Sequence, residues 1–273
     1  MTRLRSALFL PASNARAIAK ARTLPCDAVI LDLEDAVAPE LKAQARTAAA
    51  AAVREGGWGP RLVVVRVNAL DTEWGADDCA ALADVAQTVL LPKVNGPSDL
   101  HAARAALGEA ALWAMVETCA AVLALPALSA AAGAFGLTAL VAGTNDLAKE
   151  MRCRPDAART PLLPALSQIV VAARAAGIAA LDGVCNTLGD AARLAAECAA
   201  GATLGFDGKT LIHPDQIAAA NAAFAPTAAE LAWARAVVEA FADPANADRG
   251  AIRLGGAMAE RLHLAEAERM LAG

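Results

Sequence analysis

Eight short runs of β-branched and leucine-rich residues recur along the chain, each followed by a polar or Gly/Pro-containing turn and then by an alanine-rich stretch suited to a helix. The predicted strands are 5–11, 28–33, 62–68, 88–94, 112–117, 139–143, 179–184 and 202–206. Between them, stretches such as 40–55, 98–107, 162–176 and 187–200 have the alanine, arginine and glutamate content of helices. This alternation implies parallel strands joined by right-handed crossovers. Eight such units fit an α/β fold of the (β/α)8 TIM-barrel type, with a doubly wound open sheet as the alternative. The polar residues favour the barrel. Strand ends carry Asp32, Glu34 and Asp35, then Arg66 and Asn68, Lys93, Glu117, Asn145 and Asp146, Asp182, and finally Asp207 and Lys209. A closed barrel gathers all these ends at one mouth, whereas an open sheet spreads them along a line.

After His213–Pro214 the pattern changes, so residues 1–222 are expected to form the catalytic barrel and 223–273 a C-terminal helical arm. The arm reads as a helix over 228–241, a loop with Asp243, Pro244, Asn246 and Asp248, and a helix over 258–271 with no further strand. Ile252, Leu254, Met258, Leu262, Leu264 and Leu271 form an apolar pattern that is costly to leave in water, so the arm is expected to pack on a neighbouring subunit.

Composition removes several classes of partner. A formal charge of -5 and 3% aromatic residues leave neither a basic stripe nor stacking platforms for nucleic acid. Mean hydropathy is +0.42, but charged residues or proline interrupt every apolar run before it could span a bilayer. The apolar run near the N-terminus reads as a buried strand rather than a signal peptide. Six cysteines without a CxxC pair or a histidine cluster read as buried thiols of a cytoplasmic protein.

Glu117 and Asp146 lie at the ends of consecutive strands, where two carboxylates are placed to share a hard cation such as Mg²⁺; the alternative is that each caps the helix that follows. Asp32, Glu34 and Asp35 fall within four residues, and strand alternation cannot aim all three into one pocket. Arg66 in an apolar strand needs an anionic partner, either a substrate carboxylate or the acids of the second strand. Lys93 and Lys209 as imine-forming lysines are a further alternative, which leaves the acids without a role.

The segments RSALFLPASNAR, DAVILDLEDAVAPELKAQAR, VVVRVN, LLPKV, AMVETCAAV, GTNDLA, LDGV and GFDGKTLIHPDQI occur in the order, and at the strand positions, of one family. The chain resembles the citrate lyase beta-subunit-like branch of the HpcH/HpaI aldolase superfamily, which includes malyl-CoA and citramalyl-CoA lyases. The resemblance implies Mg²⁺, or Mn²⁺, held by Glu117 and Asp146, and a 2-oxo acid carboxylate held by Arg66. It also implies a CoA thioester across the barrel mouth, with Lys93, Thr144 and Asn145 as further substrate-binding residues. Glu34, Asp35 and Glu260 complete the implied catalytic set with Arg66. The implied reaction is carbon–carbon cleavage or condensation between a 2-oxo acid and an acyl-CoA in a homotrimer or hexamer, where the arm of one subunit caps the barrel of the next. Thioester hydrolysis, a carrier-protein-linked citrate lyase subunit and a weakly active metabolite-binding protein are the alternatives. Two departures stand out. Ala12 replaces a common glycine after the first-strand proline, and in GGAMAERLHL Ala257, Glu260 and Leu262 stand where relatives have lysine, aspartate and proline.

Overall fold

The computed structural model describes residues 3–246 and 248–272. The predicted runs become β1 (Ser6–Pro11), β2 (Ala28–Asp32), β3 (Leu62–Arg66), β4 (Thr88–Leu91), β5 (Ala111–Val116), β6 (Leu137–Ala142) and β7 (Ala179–Asp182), joined by β8 (Gly208–Leu211). Each strand pairs in parallel with the next, and β8 returns to β1 through Ser6 opposite Lys209 and Leu8 opposite Leu211. This is the closed TIM barrel, and the closure excludes the open sheet. Around it run α1 (Ala15–Ala21), α2 (Lys42–Glu55), α3 (Gly75–Leu82), α4 (Pro97–Leu107), α5 (Cys119–Phe135), α6 (Thr144–Glu150), α7 (Leu163–Ala176), α8 (Ala191–Leu204) and α9 (Ile217–Ala223).

The pleat sends alternate residues to two separate cores. Ala28, Ile30, Val64, Leu90, Trp113, Met115, Val141 and Leu181 fill the barrel interior. Val29, Leu31, Val65, Val89 and Leu140 face outward onto helix residues such as Ala49, Leu100, Leu125 and Ile169. Burial on both faces is why the strands read as unbroken apolar runs, and it leaves polar residues to the strand ends.

The eighth strand was misplaced by sequence reading. Residues 202–206 are instead the last turn of α8 and its cap, where Gly205 takes φ +95°, a left-handed conformation that suits glycine. The true β8, GKTL, contains two polar residues whose partners lie far away in sequence: Lys209 Nζ is 2.9 Å from Asp182 Oδ2, and Thr210 Oγ1 donates to Asp182 O at 3.0 Å. Its first residue is glycine because a side chain there would overlap Leu4 O.

The segment after the barrel is a second compact unit. Helix α10 (Ala228–Ala242) opens with a capping box in which Thr227 N donates to Glu230 Oε2 at 2.7 Å and Glu230 N donates to Thr227 Oγ1 at 3.2 Å. The expectation of no further strand fails, because β9 (Ala251–Leu254) and β10 (Ala257–Glu260) form an antiparallel hairpin before α11 (Arg261–Ala272). Gly255 and Gly256, with φ +57° and +88°, supply the tight turn. The apolar residues therefore do not form one helical stripe. Ile252 and Ala259 pack with Val237, Phe241 and Ala267, while Met258 and Leu262 are 67% and 60% exposed.

Candidate active site

The C-terminal strand ends converge on a cavity of about 310 Å³ lined by Asp35, Arg66, Glu117, Thr144, Asn145 and Asp146 among others. Asp32 and Arg66 are register partners across β2 and β3, so their side chains meet at the mouth. Arg66 forks onto Asp32, with Nε 2.7 Å from Oδ1 and Nη2 2.6 Å from Oδ2. Its third nitrogen, Nη1, lies 2.8 Å from Glu34 Oε2 and 3.4 Å from Asp35 Oδ2. Phe9 stacks beneath the guanidinium with its ring centroid 4.9 Å away. Burial disfavours the charge of Arg66, but hydrogen bonding to Asp32 and attraction to the three acids outweigh it and raise its pKa.

Asp32 is saturated, since it also accepts from Glu34 N and Ala36 N at 2.9 and 3.1 Å. It anchors the loop and the arginine. Glu34 is buried and accepts from Lys93 Nζ at 2.9 Å, while its Oε2 faces Arg66 without an aligned N–H. Burial pushes its pKa up against the pull of Arg66 and Lys93. Asp35, its side chain 63% exposed, is the most accessible of these three acids.

Glu117 follows β5 and is 2% exposed. Its Oε1 accepts from Lys93 N at 2.7 Å, an alignment made by Lys93 adopting φ +53°. A non-glycine residue in that region is strained, and such strain persists where the surroundings enforce it. Desolvation, then the charge of Glu34, raises the Glu117 pKa to about 7, and Asp146 adds to the effect. Gly143 makes room for this carboxylate, because a Cβ there would lie 2.6 Å from Glu117 Oε2. Asp146, half-buried on the first turn of α6, faces the same cavity.

A buried carboxylate made costly by neighbouring acids is the electrostatic setting a divalent cation relieves. Glu117 and Asp146 therefore fit such an ion as oxygen donors. Among the described residues no group of three or more His, Cys, Asp and Glu side chains forms a metal cage, so water and substrate oxygens would fill the other positions.

Thr144 and Asn145 line the cavity beside Asp146. Lys93 borders an adjoining hollow of about 490 Å³ together with Glu34 and Asp35. Glu260 ends β10 in the second unit, where its N–H donates to His263 Nδ1 at 2.9 Å. Lys209 is fully buried in ion pairs with Asp182 and Glu197, outside the cavity lining, which corrects its proposal as an imine-forming lysine at the mouth. Sequence reasoning missed Phe9, Met115, Asn186 and Thr210, all of which line the cavity. None of the four left a signal: Phe9 and Met115 read as core residues, Asn186 as a solvated loop residue, and Thr210 lay outside the predicted strands.

Residues 5–214 match the family model described as HpcH/HpaI aldolase/citrate lyase. The chain belongs to that family. It is 44% identical to a (3S)-malyl-CoA thioesterase of Cereibacter sphaeroides over 98% of this chain and 93% of the relative. It is 34% identical to the citrate lyase subunit beta of Escherichia coli, over 94% of this chain and 88% of that one. A solved structure of the CitE protein from Mycobacterium tuberculosis, in complex with magnesium, acetoacetate and coenzyme A, superposes with a TM-score of 0.79 at 34% identity, covering 98% of this chain and 96% of that one. Among the described residues no helix is long and apolar enough to cross a membrane.

Proposed function

We propose that this protein is a Mg²⁺-dependent enzyme that hydrolyses a 3-hydroxyacyl-CoA thioester of the (3S)-malyl-CoA type, releasing the hydroxy acid and free CoA. The observation that carries the metal-dependent reading is the buried Glu117 carboxyl, destabilised by burial and by Glu34 and Asp146 beside a cavity. Hydrolysis is favoured by the 44% identity to a protein of that name along nearly the whole chain.

The cation, when bound, supplies Lewis acidity to substrate oxygens and keeps Glu117 ionised. Arg66 receives the substrate's free carboxylate. Its fork is already committed to Asp32, so the contact is made by Nη1, with Asp35 giving way, rather than fork to fork. Asp35 takes a proton from the water that adds to the thioester carbonyl; the C–S bond then breaks, and that proton passes from Asp35 to the departing sulfur, so CoA leaves as a thiol. Thr144, Asn145 and Lys93 orient the acyl group and the thioester.

Carbon–carbon cleavage is the second reading. It is favoured by related structures in which a citrate lyase beta subunit is complexed with oxaloacetate and magnesium. It would release a 2-oxo acid and an acyl-CoA, with Glu260 of a neighbouring subunit as the acid–base in a homotrimer or hexamer. Incubation with (3S)-malyl-CoA separates the two. Free thiol and malate in equal amounts support hydrolysis, whereas glyoxylate and acetyl-CoA without free thiol support the lyase.

A further inference from the structure

The chain leaving β7 forms one wall of the cavity and presses directly on the element that carries Asp146. At Gly183 a Cβ would lie 2.6 Å from Thr144 Oγ1 and 2.9 Å from Ala142 O, so only a bare backbone fits against the start of α6. Three residues later Asn186 closes an amide pair with Asn145. Asn186 Nδ2 donates to Asn145 Oδ1 at 2.6 Å, and Asn145 Nδ2 donates to Asn186 Oδ1 at 3.3 Å. The two residues gripped in this way, Thr144 and Asn145, immediately precede Asp146.

The wall is held from behind. Asp182, fully buried outside the cavity lining, accepts from Gly183 N at 2.8 Å and from Arg159 Nη1 at 2.7 Å through Oδ1. Its Oδ2 accepts from Lys209 Nζ at 2.9 Å, and Lys209 in turn lies 3.5 Å from Glu197 Oε2. Buried charges this closely paired resist displacement, because moving one partner leaves another unpaired. The turn at Gly183 is therefore a fixed base, and the Asn186–Asn145 pair is the arm reaching from it to α6.

We infer that Asn186 is a positioning residue for the cation site: through Asn145 it holds the first turn of α6 so that Asp146 stands at the separation from Glu117 that one divalent ion requires. The inference rests on the cation reading above. Mg²⁺ and Mn²⁺ accept a narrow range of oxygen distances, so a small drift of one carboxylate is felt as lost affinity.

Mn²⁺ binding, read from the electron paramagnetic resonance signal of the free ion, tests it in wild type, Glu117→Gln, Asn186→Ala, Asn145→Ala and the double Asn145→Ala/Asn186→Ala variant. Each asparagine variant is expected to bind Mn²⁺ roughly three- to tenfold more weakly, the range a lost hydrogen-bonded pair supports. The double variant should be no weaker than either single one, since both remove the same interaction. Both side chains are exposed, so thermal midpoints should stay near wild type. Unchanged Mn²⁺ affinity in Asn186→Ala, with a raised KM, would make Asn186 a substrate contact and overturn the inference, as would fully additive losses in the double variant. If Glu117→Gln binds Mn²⁺ as tightly as wild type, the cation reading fails and the inference with it. A silent Asn186→Ala beside a non-binding Glu117→Gln overturns the inference alone.

Discussion

The raised pKa of Glu117 predicts how stability and cation binding respond to pH. An ordinary glutamate value of 4.5 becomes about 7 in the folded, cation-free protein, chiefly through desolvation and the charge of Glu34. Between these values the folded state keeps a proton that the unfolded chain has released. Stability of the cation-free protein therefore falls as pH rises through the window from 4.5 to 7. At about 1.4 kcal/mol per pKa unit the loss is on the order of 3 kcal/mol. A bound cation reverses this by favouring the ionised form, so Mg²⁺ should raise the melting temperature strongly at pH 8 and little at pH 5.5. Binding a unit or more below pH 7 should also release close to one proton. Thermal denaturation with and without Mg²⁺ across this range, and calorimetry in buffers of different ionisation enthalpy, measure both effects. Glu117→Gln should flatten the contribution. A Mg²⁺ stabilisation independent of pH, with no proton released, would show that Glu117 is not a protonated carboxyl that the cation ionises.

Arg66→Lys keeps the charge but loses the fork onto Asp32, so KM for the carboxylate-bearing substrate should rise roughly tenfold or more, with CoA affinity nearly unchanged, as read by steady-state kinetics and CoA titration. Gly143→Ala should lower stability by about 1–3 kcal/mol and weaken Mn²⁺ binding, because the added methyl enters the space of the Glu117 carboxylate. The φ of −96° at Gly143 suits any residue, so a silent Gly143→Ala would show that the carboxylate tolerates movement. Under the carbon–carbon cleavage reading, mixing Glu260→Ala with Glu117→Gln protein under subunit exchange should recover part of the lyase activity if the arm acts on a neighbouring barrel. Verified exchange without recovery, from two inactive variants, would exclude shared sites.

Much of the fold was legible because a barrel strand buried on both faces has to be apolar, as in AVILD and LVVVR. The eighth strand was not, since Lys209 and Thr210 are buried only by virtue of Asp182, a partner no local pattern announces. The hairpin in the second unit had a readable signal in Gly255–Gly256, but the helical spacing of the flanking leucines and Met258 competed with it. At the site, residue types and strand-end positions marked Glu117, Asp146 and Arg66 as candidates, while helix capping for the acids and an internal ion pair for Arg66 stayed open beside the cation and substrate readings. The commitment of Arg66 to Asp32 is a matter of register, Asp32 opposite Arg66, which depends on how two strands thirty-odd residues apart are aligned. Asn186 is exposed and sits in a loop, and nothing in its neighbours distinguishes it from a solvated residue.

In the proposed reaction the thioester bond of a malyl-CoA-type substrate is cut by water in a Mg²⁺-dependent step. Turnover of (3S)-malyl-CoA in ¹⁸O-water, with malate read by mass spectrometry, tests it most directly. Four-carbon malate carrying one ¹⁸O in a carboxyl group is expected, formed in step with free CoA, only with Mg²⁺ present and not by Glu117→Gln. Glyoxylate and acetyl-CoA as the products, with no labelled malate, would contradict it.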